Sequence, residues 1–210
     1  MAFGLSVGTG GGGDFLPIVK FDARSGRWSR IDREQGGDGM WVSTPVDITN
    51  GFSAAMDFAN AKIGWMKFVN GVDKVLVAIG EPLPAQPSAD HNQGFSLTAL
   101  LSADCGGDLR EVSGTSKAMC SAFDALDDRV KAAPEFKAGS IPIVACPSTT
   151  PVVTNTPQGT TTNYSPVLEI TGWISRAQFD GDQVAAPAPA AAAAVSSPPP
   201  PAGNTAAAQF

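Results

Sequence analysis

Residues 15–32 read FLPIVKFDARSGRWSRID and predict the first hairpin of a β-rich fold. Two strand-like runs, around Val19–Phe21 and Trp28–Ile31, flank Arg24-Ser25-Gly26, a trio that is typical of a turn. The hairpin also concentrates positive charge. From Lys20 to Arg33 there are five basic residues and two acids, a net charge of +3, whereas the whole chain carries -6 and the remainder therefore -9. The same stretch thus gives a structural prediction and raises a functional question.

Strand patterns continue after the hairpin. Residues 51–71 are interpreted as two strands with a tight connection, because Ala54, Met56 and Phe58 alternate with less apolar neighbours. Pro45 suits an edge strand or a bulge. The remaining predicted strands are Met40–Ile48, Asp73–Ile79, Phe95–Leu101, Ile141–Ala145 and Pro166–Ile174, separated by loops that include 80–94 and 147–163.

A single helix is predicted at about 115–133. Ser113, Thr115 and Ser116 offer N-caps, apolar residues recur on one face up to Val130, and Pro134 ends the pattern. Strands in succession with one late helix predict a mainly β fold. The order favours an OB-like (oligonucleotide/oligosaccharide-binding) antiparallel β-barrel with a capping α-helix.

Composition divides the chain into three parts. Residues 1–13 are predicted to form a flexible Gly-rich leader, 14–180 the barrel domain, and 181–210 a disordered Ala/Pro-rich tail. No apolar run reaches the roughly 20 residues that a membrane-spanning helix needs. The N-terminus lacks the features of a secretory signal, and three scattered cysteines fit a reducing compartment. We therefore expect a cytoplasmic protein without a membrane partner.

The residues with catalytic or metal-binding chemistry are sparse. His91, Cys105, Cys120 and Cys146 lack the paired spacing of a zinc site, so neither a metal nor a cofactor is predicted. Asp104, Asp108 and Glu111 raise the alternative of a metal-dependent nuclease. The favoured interpretation of these acids is a solvated turn before the helix, and the chain is predicted not to be an enzyme.

Basic and aromatic residues alternate in two places, and single-stranded nucleic acid is bound by this combination of positive charge and stacking faces. Trp28 is expected to be exposed, because arginines at positions -1 and +2 are unusual in a core strand. The predicted DNA-binding residues are Lys20, Phe21, Arg24, Arg27, Trp28 and Arg30 on the hairpin, and Lys62, Trp65, Lys67 and Phe68 on a central strand.

Five blocks of the chain resemble a group of phage and prophage proteins of similar size, the single-stranded-DNA-binding proteins of OB type. The blocks are KFDARSGRWSRIDR, DITNGFSAAMDFANAKIGWMKF, PSADHNQGFSLTALLS, DLREVSGTSKAMCSAFDAL and NYSPVLEITGWISR, within residues 15–178. The resemblance implies a protein that coats exposed strands in replication or recombination. It also implies recruitment of replication or recombination proteins through a terminal aromatic, here Phe210, although the acidic residues that usually precede it are missing.

One alternative function remains open on the sequence. A phage structural or assembly protein that does not bind nucleic acid would also suit the acidic chain and its Ala/Pro-rich tail. The sequence leaves the oligomeric state undecided, and a homo-oligomer is compatible with both functions.

Overall fold

The computed structural model describes residues 16–37, 39–69, 71–156 and 159–181, and the predicted leader, tail and Phe210 lie outside these residues. Within these ranges, ten strands form most of the domain. They are β1 Ile18–Asp22, β2 Arg27–Gln35, β3 Trp41–Asp47, β4 Ser53–Met56, β5 Lys62–Lys67, β6 Asp73–Ala78, β7 Asn92–Leu101, β8 Leu109–Gly114, β9 Ile141–Thr156 and β10 Gly159–Ile174. The described residues also form three α-helices: α1 Lys117–Ala132, α2 Pro134–Lys137 and α3 Arg176–Gly181.

The strands form one open sheet in the order β10-β9-β4-β7-β8-β1-β2-β3. Strand β5 pairs with the first half of β7, and β6 pairs with β5. The mainly β prediction is confirmed, but the closed OB-like barrel is not found. The β1–β2 turn meets β10 through a hydrogen bond from Tyr164 N to Ala23 O at 2.6 Å, and no strand ladder joins these elements.

Several local predictions are confirmed. Strands β1 and β2 form the expected hairpin, in which Asp22 lies opposite Arg27 and Gly26 adopts a φ of 69° in the turn. Residues 51–71 hold two strands joined by a 3₁₀ turn at Phe58–Asn60. Helix α1 begins after Ser116, whose hydroxyl accepts a hydrogen bond from Met119 N at 3.3 Å. The cap and the apolar face therefore identified the helix correctly.

Two local predictions are wrong, and one helix was missed. Residues 147–163 are not a loop, because most of them lie in β9 and β10. These two strands are antiparallel and pair from Thr156 opposite Gly159 to Ile141 opposite Ile174. Their threonines and valines are good strand formers, and Pro147 and Pro151 lie in a long two-stranded arm at the end of the sheet order. Leu109–Gly114 is a central strand rather than a turn, and α3 was not predicted.

Two apolar clusters stabilise the sheet. The larger lies between the curved sheet and α1, where Met119, Phe123, Leu126 and Val130 of the helix are buried against strand residues such as Trp28. The smaller lies on the other side of the sheet and consists of Ala55, Leu100, Ile141 and Phe179. Phe179 belongs to α3, so the last helix covers this second cluster.

An ion pair anchors α3. Arg176 donates to both carboxylate oxygens of Asp57, at 2.5 and 2.9 Å, and Asn60 donates to the same carboxylate. Burial favours the neutral carboxyl, but the hydrogen bonds from Arg176 and Asn60 outweigh it and lower the pKa of Asp57. The buried Asp57 therefore fixes the start of α3 beside the 3₁₀ turn.

Candidate nucleic-acid interface

The first hairpin divides its residues between two faces of the sheet. Phe21 lies directly opposite Trp28, so both side chains point to the same side. Trp28 is fully buried, stacks on Phe52 with ring centroids 4.0 Å apart, and contacts Phe21 at 5.0 Å. Phe21 is 6% exposed. The expectation that these two aromatics are exposed for base stacking is therefore wrong.

Alternation along β2 explains the error. Arg27 and Ser29 point away from the core, and Trp28 between them points into it, so a basic neighbour does not exclude a core position. Arg30 shares the side of Trp28 but lies nearer the edge of the core. It pairs with Asp32 at 3.2 Å and donates to Cys105 O at 3.1 Å. Arg30 is thus held in structural contacts.

Two of the three acids of the alternative nuclease site, Asp108 and Glu111, are also held by basic residues. Arg110 contacts Asp108 at 2.9 Å and Asp32 at 2.6 Å. Burial opposes its charge, but these hydrogen bonds raise the pKa of Arg110. Burial likewise acts on Glu111, but hydrogen bonds from Lys74 and Ser113 outweigh it and lower its pKa. No group of three His, Cys, Asp or Glu residues suited to a metal is found in the described part of the chain.

The opposite side of the sheet carries what we call the basic face, defined by Lys20, Arg27, Arg33, Trp41 and Lys62. Lys20 lies opposite Ser29, and Arg33 lies opposite Ser43. Trp41 lies opposite Gln35. Gln35 is two residues after Arg33 on the same strand and points to the same side, so Trp41 and Arg33 are diagonal neighbours. Trp41 is 68% exposed, so its ring is accessible from solvent, whereas Trp28 is fully buried.

Lys62 extends this face across the sheet. It lies opposite Ser96, and Ser96 lies opposite Ser113. Val112 pairs with Val19 in the parallel strands β8 and β1. The next residues along the two strands, Ser113 and Lys20, therefore lie side by side on the other side of the sheet. Lys20 and Lys62 therefore share one row across four strands, although Ser96 within that row is buried.

Two acidic residues of this side that lie beside the cations of the first hairpin, Asp22 and Asp47, are hydrogen-bonded to local partners. Asp22 accepts from Arg24 N at 3.0 Å and from Ser25 Oγ at 2.8 Å, and these hydrogen bonds lower its pKa. Asp47 accepts from Thr49 and pairs with Arg27 at 3.4 Å, and its pKa is lowered chiefly by Thr49. The Arg27–Asp47 pair is more than half exposed and is therefore weak.

Three cations of the basic face have no ion pair among the described residues, namely Lys20, Arg33 and Lys62. Lys74 is different, because it pairs with Glu111 although β5 and β7 lie between their strands. This pair holds the β5–β6 hairpin against the sheet. The three unpaired cations outnumber the carboxylate of Asp22, which likewise has no ion pair among the described residues, so the hairpin part of the face is net positive in a protein whose net charge is -6.

The other predicted site residues do not join the basic face. Trp65 alternates with Lys62 and points to the opposite side, where its Nε1 donates to Pro84 O at 2.8 Å. Lys67 shares the side of Trp65, and Phe68 lies at the hairpin tip. Arg24 is exposed in the β1–β2 turn. Sequence reasoning missed Trp41, although its strand, WVSTPVD, places Ser43, Pro45 and Asp47 on the same side, a polar pattern that indicates exposure.

His91 is part of a structural contact. Its Nδ1 lies 2.8 Å from Ser88 Oγ, and its Nε2 lies 3.2 Å from Asp73 Oδ2. His91 is 3% exposed, and Gln86 donates to its carbonyl at 2.8 Å. These bonds attach the loop before β7 to the start of β6, and the same loop accepts the hydrogen bond from Trp65.

Comparisons with family models, curated proteins and solved structures find no match to this chain. In the described residues, no helix has the length and apolar character required to cross a membrane. The functional argument therefore depends on the geometry of the basic face.

Proposed function

We propose that this chain binds single-stranded DNA on the basic face. The supporting observation is that unpaired Lys20, Arg33 and Lys62 share one side of the sheet with the exposed Trp41. Cations attract the phosphates, and an aromatic face stacks on a base without reading its identity. The acidity of the remaining chain confines polyanion binding to this face.

The role that follows is coating of exposed strands, without a catalytic step, during phage replication or recombination in the host cytoplasm. A sequence-tolerant mode fits the chemistry of the face, since it offers charge and one stacking surface. If three cations each neutralise one phosphate, the logarithm of affinity should fall with the logarithm of salt concentration with a slope of about -2.

Anisotropy of a labelled oligo-dT, titrated with the full chain at two salt concentrations, tests the proposal. Trp41→Ala should weaken binding by about 5- to 140-fold, which corresponds to the roughly 1–3 kcal/mol of one stacked base. Arg33→Gln should make the salt slope shallower by about 0.7. Lys137→Gln removes the same charge from α2, outside the basic face, and should bind as the wild type does.

The alternative is an assembly protein without nucleic-acid affinity. Exposed apolar side chains at the hairpin tips, such as Trp41 and Phe68, favour it, because such groups also mediate protein contacts. Regular assemblies of the wild type, with no oligo-dT binding at low salt, would support this alternative. Unchanged affinity in Trp41→Ala, Lys20→Gln and Arg33→Gln would show that DNA, if bound, binds elsewhere.

A further inference from the structure

The basic face contains an ion pair of its own. Arg27 Nη1 donates to Asp47 Oδ2 at 3.4 Å, and the side chains of both residues are more than half exposed. Asp47 lies opposite Ser29, and Ser29 lies opposite Lys20, so the carboxylate occupies the same row as one of the unpaired cations. Arg27 is two residues before Ser29 and points to the same side. A negative charge is therefore built into this part of the face.

Asp47 is held in place independently of Arg27. Its other carboxylate oxygen, Oδ1, accepts a hydrogen bond from Thr49 N at 2.9 Å. Thr49 Oγ1 accepts from Trp28 N at 3.0 Å and donates to Trp28 O at 3.3 Å, and Trp28 is fully buried. The hydrogen bonds from Thr49 are the largest cause of the lowered pKa of Asp47, and the charge of Arg27 is a smaller one. The carboxylate would therefore stay charged and in place if Arg27 left it.

A phosphate at Arg27 would meet this fixed charge. A phosphate oxygen bonded to Arg27 Nη1 at about 2.8 Å would lie no more than about 6 Å from Asp47 Oδ2, because both oxygens would contact one nitrogen. The Debye length is about 8–10 Å at roughly 0.1–0.15 M salt, so the repulsion between the two anions is only partly screened. Asp47 thus offsets the attraction of Arg27 for DNA.

The other cations of the basic face differ from Arg27, because none of them forms an ion pair within the described part of the chain. Asp22 also lies opposite Arg27, on β1. The two carboxylate oxygens of Asp22, however, accept from Arg24 N and Ser25 Oγ in the turn. The carboxylate that contacts a cation of this face is therefore that of Asp47.

We propose that Asp47 is an autoinhibitory residue of the basic face, which occupies Arg27 and keeps this cation from contacting DNA phosphate. This inference rests on the proposed function, because it concerns the same surface. The wild type then neutralises phosphates with the three unpaired cations alone. Removal of the Asp47 charge adds Arg27 as a fourth, so affinity in the wild type stays below the value that the cations of the face permit.

Anisotropy of a labelled oligo-dT, titrated with the full chain between about 50 and 200 mM salt, is the assay. Asp47→Asn removes the charge and keeps the oxygen that accepts from Thr49 N. Its salt slope should be steeper than that of the wild type by about 0.7, the contribution of one phosphate on a single strand. The gain in affinity should therefore be about 2.6-fold larger at the lower salt concentration than at the higher one.

Two further variants locate the effect at Arg27. Arg27→Gln/Asp47→Asn should return the slope to the wild-type value, because the added phosphate contact needs the guanidinium group. Glu135→Gln removes the same negative charge from α2, outside the basic face, and should keep the wild-type slope. The urea unfolding midpoints of all these variants should stay close to that of the wild type, since the substituted side chains are exposed.

Three results would overturn the inference while oligo-dT binding by the wild type stands. The first is an unchanged slope in Asp47→Asn. The second is a steeper slope that persists in the double variant, which would mean that Asp47 repels phosphates held by other cations. The third is a shallower slope in Arg27→Gln alone, because Arg27 would then already contact phosphate in the wild type. Absence of binding by both the wild type and Asp47→Asn would instead refute the proposed function, and this inference with it.

Discussion

Trp28→Ala should be among the most destabilising substitutions in this protein. Trp28 is fully buried and contacts two aromatic rings, those of Phe52 and Phe21. A buried tryptophan removes about 150–250 Å² from water, which corresponds to about 4–6 kcal/mol at roughly 25 cal/mol per Å². Alanine still buries part of this area, and an extended-chain model of the unfolded state overstates the area that is buried on folding. We therefore expect Trp28→Ala to lower the free energy of unfolding by about 3–5 kcal/mol.

Trp28→Phe is the matched variant. It keeps a ring between Phe52 and Phe21 and removes Nε1, which lies near the thiol of Cys146 but has no hydrogen-bond partner of normal geometry. The loss should therefore be below about 2 kcal/mol. Trp41→Ala removes an exposed tryptophan and should change stability by less than about 0.5 kcal/mol.

Urea unfolding followed by circular dichroism measures all three variants, with the m-value as a check on two-state behaviour. For a domain of this size, 3–5 kcal/mol corresponds to a fall in Tm of about 6–20 °C. A loss below about 1 kcal/mol in Trp28→Ala, together with abolished oligo-dT binding, would refute the reasoning, because it would mean that Trp28 is an exposed stacking residue.

Four further outcomes follow from particular contacts. Arg176→Ala should cost about 2–3 kcal/mol in urea unfolding, less than a fully buried pair because Arg176 is partly exposed. The pKa of Asp57 is lower in the folded chain than in the unfolded one, so wild-type stability should fall as pH drops below about 4, and Asp57→Asn should show a shallower loss. Gly94→Ala should cost about 1–3 kcal/mol in the same assay, since its Cβ would lie 2.4 Å from a backbone oxygen of β8. A thiol reagent at neutral pH should modify the half-buried Cys120 before the buried Cys146, and both slowly, because burial raises the pKa of each thiol; faster reaction at Cys146 would contradict its burial.

Local signals in the sequence were sufficient for the elements whose stability is local. The turn at Gly26 and the cap at Ser116 identified a hairpin and a helix, and alternation identified β4 and β5. Strand β8 was missed because acids and glycines before it resemble a turn, whereas its pairing with β7 and β1 comes from distant segments. The open sheet could not be inferred either, since closure depends on whether the first hairpin pairs with β10.

The candidate site, too, could be predicted from the sequence only in part. Composition located the basic stretch, but it could not assign side chains to faces, because one position of register exchanges core and surface along a whole strand. With the register of β1 and β2 known, Trp28 is assigned to the core, and Lys20 and Arg33 to the surface. Trp41 became a candidate only when its pairing with Gln35 placed it on their side.

The cations and the exposed aromatic ring of the basic face lie on different strands. Their contributions to DNA binding can therefore be measured separately. The cations lie on β1, β2 and β5, whereas Trp41 lies at the start of the edge strand β3. If charge alone holds the strand, Arg33→Gln changes the salt slope and Trp41→Ala leaves affinity unchanged at every salt concentration. If stacking contributes, the loss in Trp41→Ala persists at high salt, where the ionic contribution is weakest. The second result is expected, because a tryptophan that is 68% exposed beside Arg33 has its ring open to a base.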